Sequence, residues 1–302
     1  WRPSTRFFQP GVRRIFWLLI PVLIGQATGE VNKLVDTLFA TILGPDKVKA
    51  LFAANRLVQL PLSVFGIAVA AAILPSTSRA GARKDYDEIR QTLAHGLRQT
   101  FFLVLPALLG LILLRRPIVS LLFERGAFSA ADTEQASTAL LFYGLGLLSF
   151  VWVKVLAAGF YSIQDTKTPV IVASASMLLN ILLNCVLVGP LGYRGLALAT
   201  TLSFTVNFLF LFVLLSDRFG VLLDKAALRI LWHISIAAGI MAAVAYGAYI
   251  RTHQYFPETT LLDRAICVLL PLACAIGSYV ALCALLNVPD LRYFLALGRR
   301  RK

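Results

Sequence analysis

Glu30, Lys33, Asp36 and Arg56 carry charge in stretches of sequence that are otherwise apolar. On a helix, Gln26, Glu30, Lys33 and Thr37 recur at steps of four, three and four, which aligns them on one face. Asp36 lies about 60° to one side of Lys33 at ~100° per residue. Arg56 stands inside the apolar run Leu51–Leu74, with Asn55 and Gln59 spaced i, i+4 beside it. A guanidinium offers a rigid fork of donors that grips carboxylate or phosphate oxygens at two points. A charge at a bilayer centre costs about 2.5–3.5 kcal/mol, so four facing lipid would cost roughly 10 kcal/mol. They must instead face one another or a water-filled cavity, and such a cavity is a path for something polar. Glu30 and Lys33 fit equally an internal pair that neutralises itself and a direct contact with cargo. Arg56 fits an anion contact better than a structural ion pair.

A second set of residues is uncharged. Asn180 and Asn184 share one helical face, and Thr200 lies early in the next apolar run. Such side chains often hydrogen-bond between membrane helices. With Asp36 supplying charge, they could equally give oxygen ligands to a small hard cation. Lys154 lies near the end of its run, where snorkelling to the interface is the cheaper reading. His95, His233 and His253 are scattered, and no metal-protease, nucleophile-elbow or phosphate-loop pattern occurs. Cys185, Cys267, Cys274 and Cys283 form no Cys-x-x-Cys pair. An enzyme that acts on lipid phosphates remains an alternative, because such enzymes also use Arg and Asp.

The elements that position these residues follow from composition. The chain has 302 residues, 58% of them hydrophobic and 15% charged, with a mean hydropathy of +0.77. A soluble domain of this length cannot hide so much apolar surface. Runs near the ~20 residues that a spanning helix needs lie at Ile15–Leu43, Leu51–Leu74, Leu93–Leu114, Leu140–Tyr161, Val170–Leu191, Leu196–Leu215, Ile230–Ile250 and Ala265–Leu286. Period-two alternation is absent, which argues against a β-barrel. The expected fold is an all-α integral membrane protein with eight transmembrane helices. With the N-terminus in the cytoplasm, eighteen of the 29 basic residues fall inside, eight outside, and Lys33, Arg56 and Lys154 within spans. The net charge of +14 is then topology under the positive-inside rule, with both ends of the chain cytoplasmic, and not a nucleic-acid surface.

Finer features sort by length and spacing. Thr77–Arg90 reads as a charged loop and Asp217–Arg229 as a basic amphipathic linker. Pro117–Phe123 is too short to cross and belongs in the interface or re-enters. Ser129 and Asp132 have capping-box spacing. Gly144-x-Gly146 lies inside a span, where small residues serve helix packing. Pro21, Gly25 and Gly29 could bend the first helix. Trp1–Pro10 reads like a loop leading into a span, and the chain reads as part of a longer protein.

Several stretches together resemble the MurJ (MviN) family of lipid II flippases. They are Leu34-Val-Asp-Thr-Leu-Phe-Ala40, Asn55-Arg-Leu-Val-Gln-Leu-Pro61, Gly66-Ile-Ala-Val through Ile73-Leu-Pro-Ser76, Leu121 to Ser129, Lys154 to Ser162, and Gln164-Asp-Thr-Lys-Thr-Pro169. The likeness runs from about Gly11 to Phe219, and beyond Val221 it is one of hydropathy and helix count. That family sits in the multidrug/oligosaccharidyl-lipid/polysaccharide exporter superfamily, with two six-helix lobes around a cavity and two further C-terminal helices. The resemblance implies a lead-in over 1–10, a second lobe over 11–219, the additional pair over 220–291 and a basic tail over 292–302. It implies a flippase in the bacterial inner membrane, not an enzyme, that moves lipid II for cell-wall synthesis. Another lipid-linked oligosaccharide is the alternative cargo. Its partners would be lipid II, membrane lipids, a first lobe absent from this chain and proteins of cell-wall synthesis.

By the same resemblance, Arg56 matches a cavity arginine that engages the substrate diphosphate, with Asn55 and Gln59 where some members carry acids. Glu30 and Lys33 would line the cavity. Asp36, Asn180, Asn184, the Leu196 carbonyl and Thr200 fall where some members bind sodium, with Asn184 in place of a carboxylate. No other cofactor is implied.

Overall fold

The computed structural model describes residues 29–256 and 260–291, and every regular element among them is helical. Helix α1 occupies 29–43. Helix α2 (Pro45–Pro61) passes through a π-helical turn, Leu62–Ile67, into α3 (Ala68–Arg83), so Pro45–Arg83 is one rod of 39 residues. Pro61 can donate no N–H to the turn before it, and the ladder widens directly after it. Then follow α4 (Tyr86–Leu113), the short α5 (Arg115–Phe123), α6 (Ala130–Ser162), α7 (Lys167–Leu191), α8 (Tyr193–Phe219), α9 (Lys225–Tyr255) and α10 (Leu261–Leu285).

Among the described residues seven helices are long and apolar enough to cross a membrane, and they contain the second to eighth expected runs. The first run is described only from residue 29 onward, where α1 carries it. Trp1–Pro10, Pro21, Gly25, Gln26 and the tail beyond Leu291 lie outside the described residues.

The expected loop is corrected and the expected linker is shortened. The segment Thr77–Arg90 is almost wholly helical, with only Lys84 and Asp85 between α3 and α4. The segment Asp217–Arg229 closes to a turn at Gly220–Asp224. The helices outrun their apolar cores because residues in water can carry charge without leaving the helix. A 31-residue helix such as α9 spans ~46 Å against ~30 Å of hydrocarbon. Side-chain caps start four of the helices. Asp85 accepts from Glu88 N and Asp224 from Ala227 N. Ser129 and Asp132 form the expected capping box, and Thr260 with Asp263 forms another. Gly192, at φ +57°, both ends α7 and starts α8.

Helix α6 is the hub, packed by α2, α3, α4 and α8. Its glycines admit those neighbours. A Cβ on Gly146 would stand 2.7 Å from Thr201 Oγ1 of α8, and one on Gly159 would stand 2.8 Å from Leu93 of α4. The packing role expected of Gly144 and Gly146 is what the structure shows. Helix α7, by contrast, packs mainly on α8 and leaves Ile171, Leu178, Leu182 and Val186 bare for lipid.

Helices α9 and α10 pair with each other and share a core with Phe102 of α4. Helix α10 is fastened at both ends. At one, Arg264 Nη2 meets Glu124 Oε1 at 3.0 Å. At the other, Arg98 Nε meets the fully buried Asp290 at 2.9 Å. Between them Tyr279 Oη donates to the Phe102 carbonyl at 2.7 Å.

The Glu124 fastening depends on ionisation. Burial works against its charge, but hydrogen bonds from Thr133 and Ser120, with Arg264 beside it, outweigh burial and hold the carboxyl below the ordinary glutamate range. A depressed carboxyl contributes stability that is complete above its unfolded value of ~4.3 and lost as pH falls through the folded one. Melting of the purified protein in detergent should therefore show a loss of about 1 kcal/mol below ~pH 4. Glu124→Gln should flatten that slice of the pH profile and remove part of the stability at pH 7.

Candidate functional site

Helices α1, α2 and α6 enclose a cleft of about 500 Å3. Lys33, Asp36 and Thr37 enter it from α1, Asn55, Arg56 and Gln59 from α2, and Tyr143 from α6. The expected polar stripe of α1 therefore faces the polar stripe of α2, as the cost of lipid-facing charge demands. An adjoining space of about 300 Å3 adds Glu30, Ser63, Lys154 and Thr200.

Within the cleft, Lys33 Nζ lies 2.8 Å from Glu30 Oε1, so the internal pair forms while both side chains stay largely exposed. Gln59 donates to Asn55 across one helical turn. The Arg56 guanidinium stacks over the Phe52 ring at 4.6 Å and forms no ion pair among the described residues. Its donors remain available to oxygens in the cleft. Stacking on Phe52 fixes the plane of the fork without consuming N–H groups.

Asp36 is held across three helices. Asn184 Nδ2 of α7 donates to Asp36 Oδ1 at 2.7 Å, and Thr200 Oγ1 of α8 stands 3.0 Å from Asp36 Oδ2. Thr200 Oγ1 is also 3.0 Å from the Leu196 carbonyl, and its single proton can serve only one of these acceptors at a time. Asn180 lies between Asn184 and Thr200, at 3.0 and 3.3 Å. With its amide turned, its nitrogen would reach Asp36 Oδ1 at 3.1 Å and Asn32 Oδ1 at 2.9 Å. Asn184 Oδ1 is buried with no partner. All five residues of the second set are thus brought together, although they come from positions 36 to 200. The donor set is one carboxylate with amide, hydroxyl and carbonyl oxygens, which suits a hard cation of low charge. The orphaned Asn184 oxygen is a ligand without a task in the present arrangement, so the residues fit such an ion.

Sequence reasoning undervalued two residues. Lys154 does not stand apart at the interface but lines the space that adjoins the Arg56 cleft, where Asn55 and Gln59 line both. Asn32, at 8% exposure, belongs to the Asp36 network. Its signal was available, since Asn32 stands four residues before Asp36 and so shares its helical face.

Comparison with known proteins places this architecture. The family model "Lipid II flippase MurJ" matches residues 1–265. A "Probable lipid II flippase MurJ" of Vibrio cholerae is 36% identical over 287 residues, covering 95% of this chain and 54% of that protein. A "Lipid II flippase MurJ" of Burkholderia cenocepacia is 34% identical over 216 residues, covering 72% of this chain and 42% of that protein. Among solved structures, a lipid II flippase MurJ in an inward closed conformation superposes with a TM-score of 0.72 at 24% identity, over 95% of this chain and 56% of that one. A MATE transporter in its straight conformation superposes at 0.59 and 18% identity, over 93% and 67%. These two likenesses establish the fold. The chain spans about half the length of the curated relatives it matches. With seven span-length helices among the described residues and a family match over most of its length, the chain is a multi-pass protein of the bacterial inner membrane that belongs to the MurJ family of lipid II flippases.

Proposed function

We propose that the chain supplies the second six-helix lobe and the two additional C-terminal helices of a transporter that moves lipid II from the inner to the outer leaflet. The observation that carries this reading is Arg56, an arginine with free donors stacked inside a spanning helix and aimed into a polar cleft. A diphosphate crossing hydrocarbon would lose its hydration, and a fork of charged donors replaces part of it. Asn55, Gln59, Glu30 and Lys33 give further hydrogen bonds to a sugar and peptide headgroup. The facing wall comes from a first lobe, and rocking of the two lobes exposes the cleft on alternate sides. The polyprenyl chain stays in lipid beside α9 and α10. Cell-wall synthesis proteins would receive the cargo outside.

Both ends of the chain lie in the cytoplasm in this reading. Contacts near the helix ends fit the pairing of segments it needs: Arg218 meets Asp165 at 2.6 Å at one end of the bundle, and Lys47 meets Gln135 at 2.8 Å at the other. Each contact joins two segments that charge counting assigns to the same side.

The Asp36 cluster would hold sodium. Turning the Asn184 amide would replace its N–H with the orphaned oxygen, beside Asp36, Asn180, Thr200 and the Leu196 carbonyl. Exchange of a donor for a ligand at one residue changes how α1 is tied to α7 and α8, and so links the ion to the position of α1.

The test is complementation of a flippase-depleted strain with the full-length protein. Outer-leaflet lipid II is read by its accessibility to an externally added hydrolase. Arg56→Ala should lower flipping roughly tenfold or more, the scale of one charged hydrogen-bonding group lost from a desolvated site. Normal rescue would sink the diphosphate contact. In proteoliposomes, flipping by the wild type should rise with sodium, whereas Asp36→Asn should respond little. Flipping that ignores sodium in both proteins would exclude coupling through this cluster.

A further inference from the structure

Lys154 adjoins a small pocket of about 120 Å3 beyond the Arg56 cleft, between α1, α6, α7 and α8. Asn32, Ser176, Ser203 and Asn207 line it, each under 9% exposed, and its lining contains no carboxylate. We infer that Lys154 and these buried amides and hydroxyls form a second anion-binding pocket, separate from Arg56, that takes a carboxylate or phosphate group. The inference rests on the reading of the cavity as the path of an anionic lipid headgroup.

Three observations carry it. First, Lys154 has no acidic partner. It forms no ion pair among the described residues, and residues 1–28 contain no Asp or Glu. The two acids nearest along the cavity are already engaged, Glu30 by Lys33 and Asp36 by Asn184 and Thr200. Second, Asn207 Oδ1 is buried without a hydrogen-bond partner, at 5% exposure of the residue. That oxygen is an acceptor and holds no anion itself, but the Asn207 side chain makes no hydrogen bond among the described residues, so its amide is free to turn its N–H2 group toward one. Third, the pocket is rich in donors. The Lys154 ammonium has three and the Asn207 amide two, and the Ser176 hydroxyl makes no hydrogen bond among the described residues. A cation ringed by neutral donors, with a second ammonium at Lys33 in the adjoining space, is matched by an anion that accepts from several groups at once.

Geometry separates this pocket from the other two sites. Arg56 enters from α2, eleven residues inside the rod that starts at Pro45, whereas Lys154 enters from α6, eight residues before that helix ends at Ser162. Arg56 lines the cleft and Lys154 the pocket, and the two linings have no described residue in common. A headgroup with one anionic group at Arg56 and another at Lys154 would be gripped at two points, which fixes its orientation as well as its affinity.

The experiment uses the full-length protein purified in detergent, with lipid II and inorganic phosphate as separate probes. Lys154→Gln should weaken lipid II binding roughly tenfold, and Lys154→Arg should restore most of it. Asn207→Asp places a carboxylate of the same shape against the ammonium and should weaken binding likewise, so a folding defect peculiar to Lys154→Gln cannot account for the result. If the occupant is the substrate headgroup, lipid II affinity falls in both variants. If it is a free anion, phosphate binds the wild type, both variants lose that binding, and lipid II affinity stays the same. Wild-type affinity for both probes in Lys154→Gln and in Asn207→Asp overturns the proposal. Arg56→Ala distinguishes the two readings. Loss of lipid II binding there, with neither lipid II nor phosphate binding lost in the Lys154 variants, leaves the cleft standing and removes this pocket. Should lipid II fail to bind the wild type at all, the substrate reading falls and the phosphate arm still decides the pocket.

Discussion

Charge inside hydrocarbon must be solvated by protein, and the arrangement of this lobe follows from that constraint. Asp36 accepts from an amide of α7 and a hydroxyl of α8, so one carboxylate draws three helices together. Helix α7 has little apolar contact with the hub α6 and presents most of its surface to lipid. Dispersion alone would hold α1 and α7 weakly, since lipid tails are as apolar as leucine. The polar network supplies direction that apolar packing lacks. The same hydrogen bonds that gather the oxygen atoms around Asp36 also fasten α1, the helix that carries Lys33 into the cleft.

Helix α2 solves a second part of the problem by having two unlike faces. Asn55, Arg56 and Gln59 face the polar cleft. Leu57, Leu60 and Val64 face an apolar groove of about 340 Å3, closed on its far side by α4 and by Leu272 of α10. An amphipathic cargo has the same division, with a charged head and a hydrocarbon tail. A single helix that sorts polar from apolar surroundings across its own width keeps both parts of such a cargo within one side chain's length of their preferred medium. Helix α10 can form that far wall because ion pairs fasten it at each end and not along its middle.

Much of this was legible in the sequence, and the physical reason differs by case. Helix number and order follow from run length against bilayer thickness, which leaves few alternatives. The Asp36 cluster was legible as chemistry, because Asn180, Asn184 and Thr200 are conspicuous in apolar surroundings, but its closure depended on how α1, α7 and α8 pack. Helix ends were misjudged at Thr77–Arg90 and Asp217–Arg229, since charge density marks water and not the end of a helix. Lys154 was misjudged for a related reason. Nearness to the end of an apolar run measures depth along a helix and says nothing about which face a residue occupies. Depth suggested snorkelling, whereas the face of α6 on which Lys154 stands turns it toward the cavity.

The fastening of α10 also bears on where the lobe can bend. Tyr279 ties α10 to α4, Arg264 ties it to Glu124 at the end of α5, and Arg98 of α4 holds Asp290 in the segment after α10. The rod Pro45–Arg83 is not uniform along its length. Its π-helical turn at Leu62–Ile67 interrupts the i→i−4 ladder, directly after the residues that line the cleft. Gly66 in that turn lies against Val151 of α6 so closely that an added Cβ would stand 3.1 Å from it. A rod weakened at one turn, and pressed against the hub at that turn, bends there first. Arg56 then stands on one side of that turn, and Arg79 and Arg83 stand on the other.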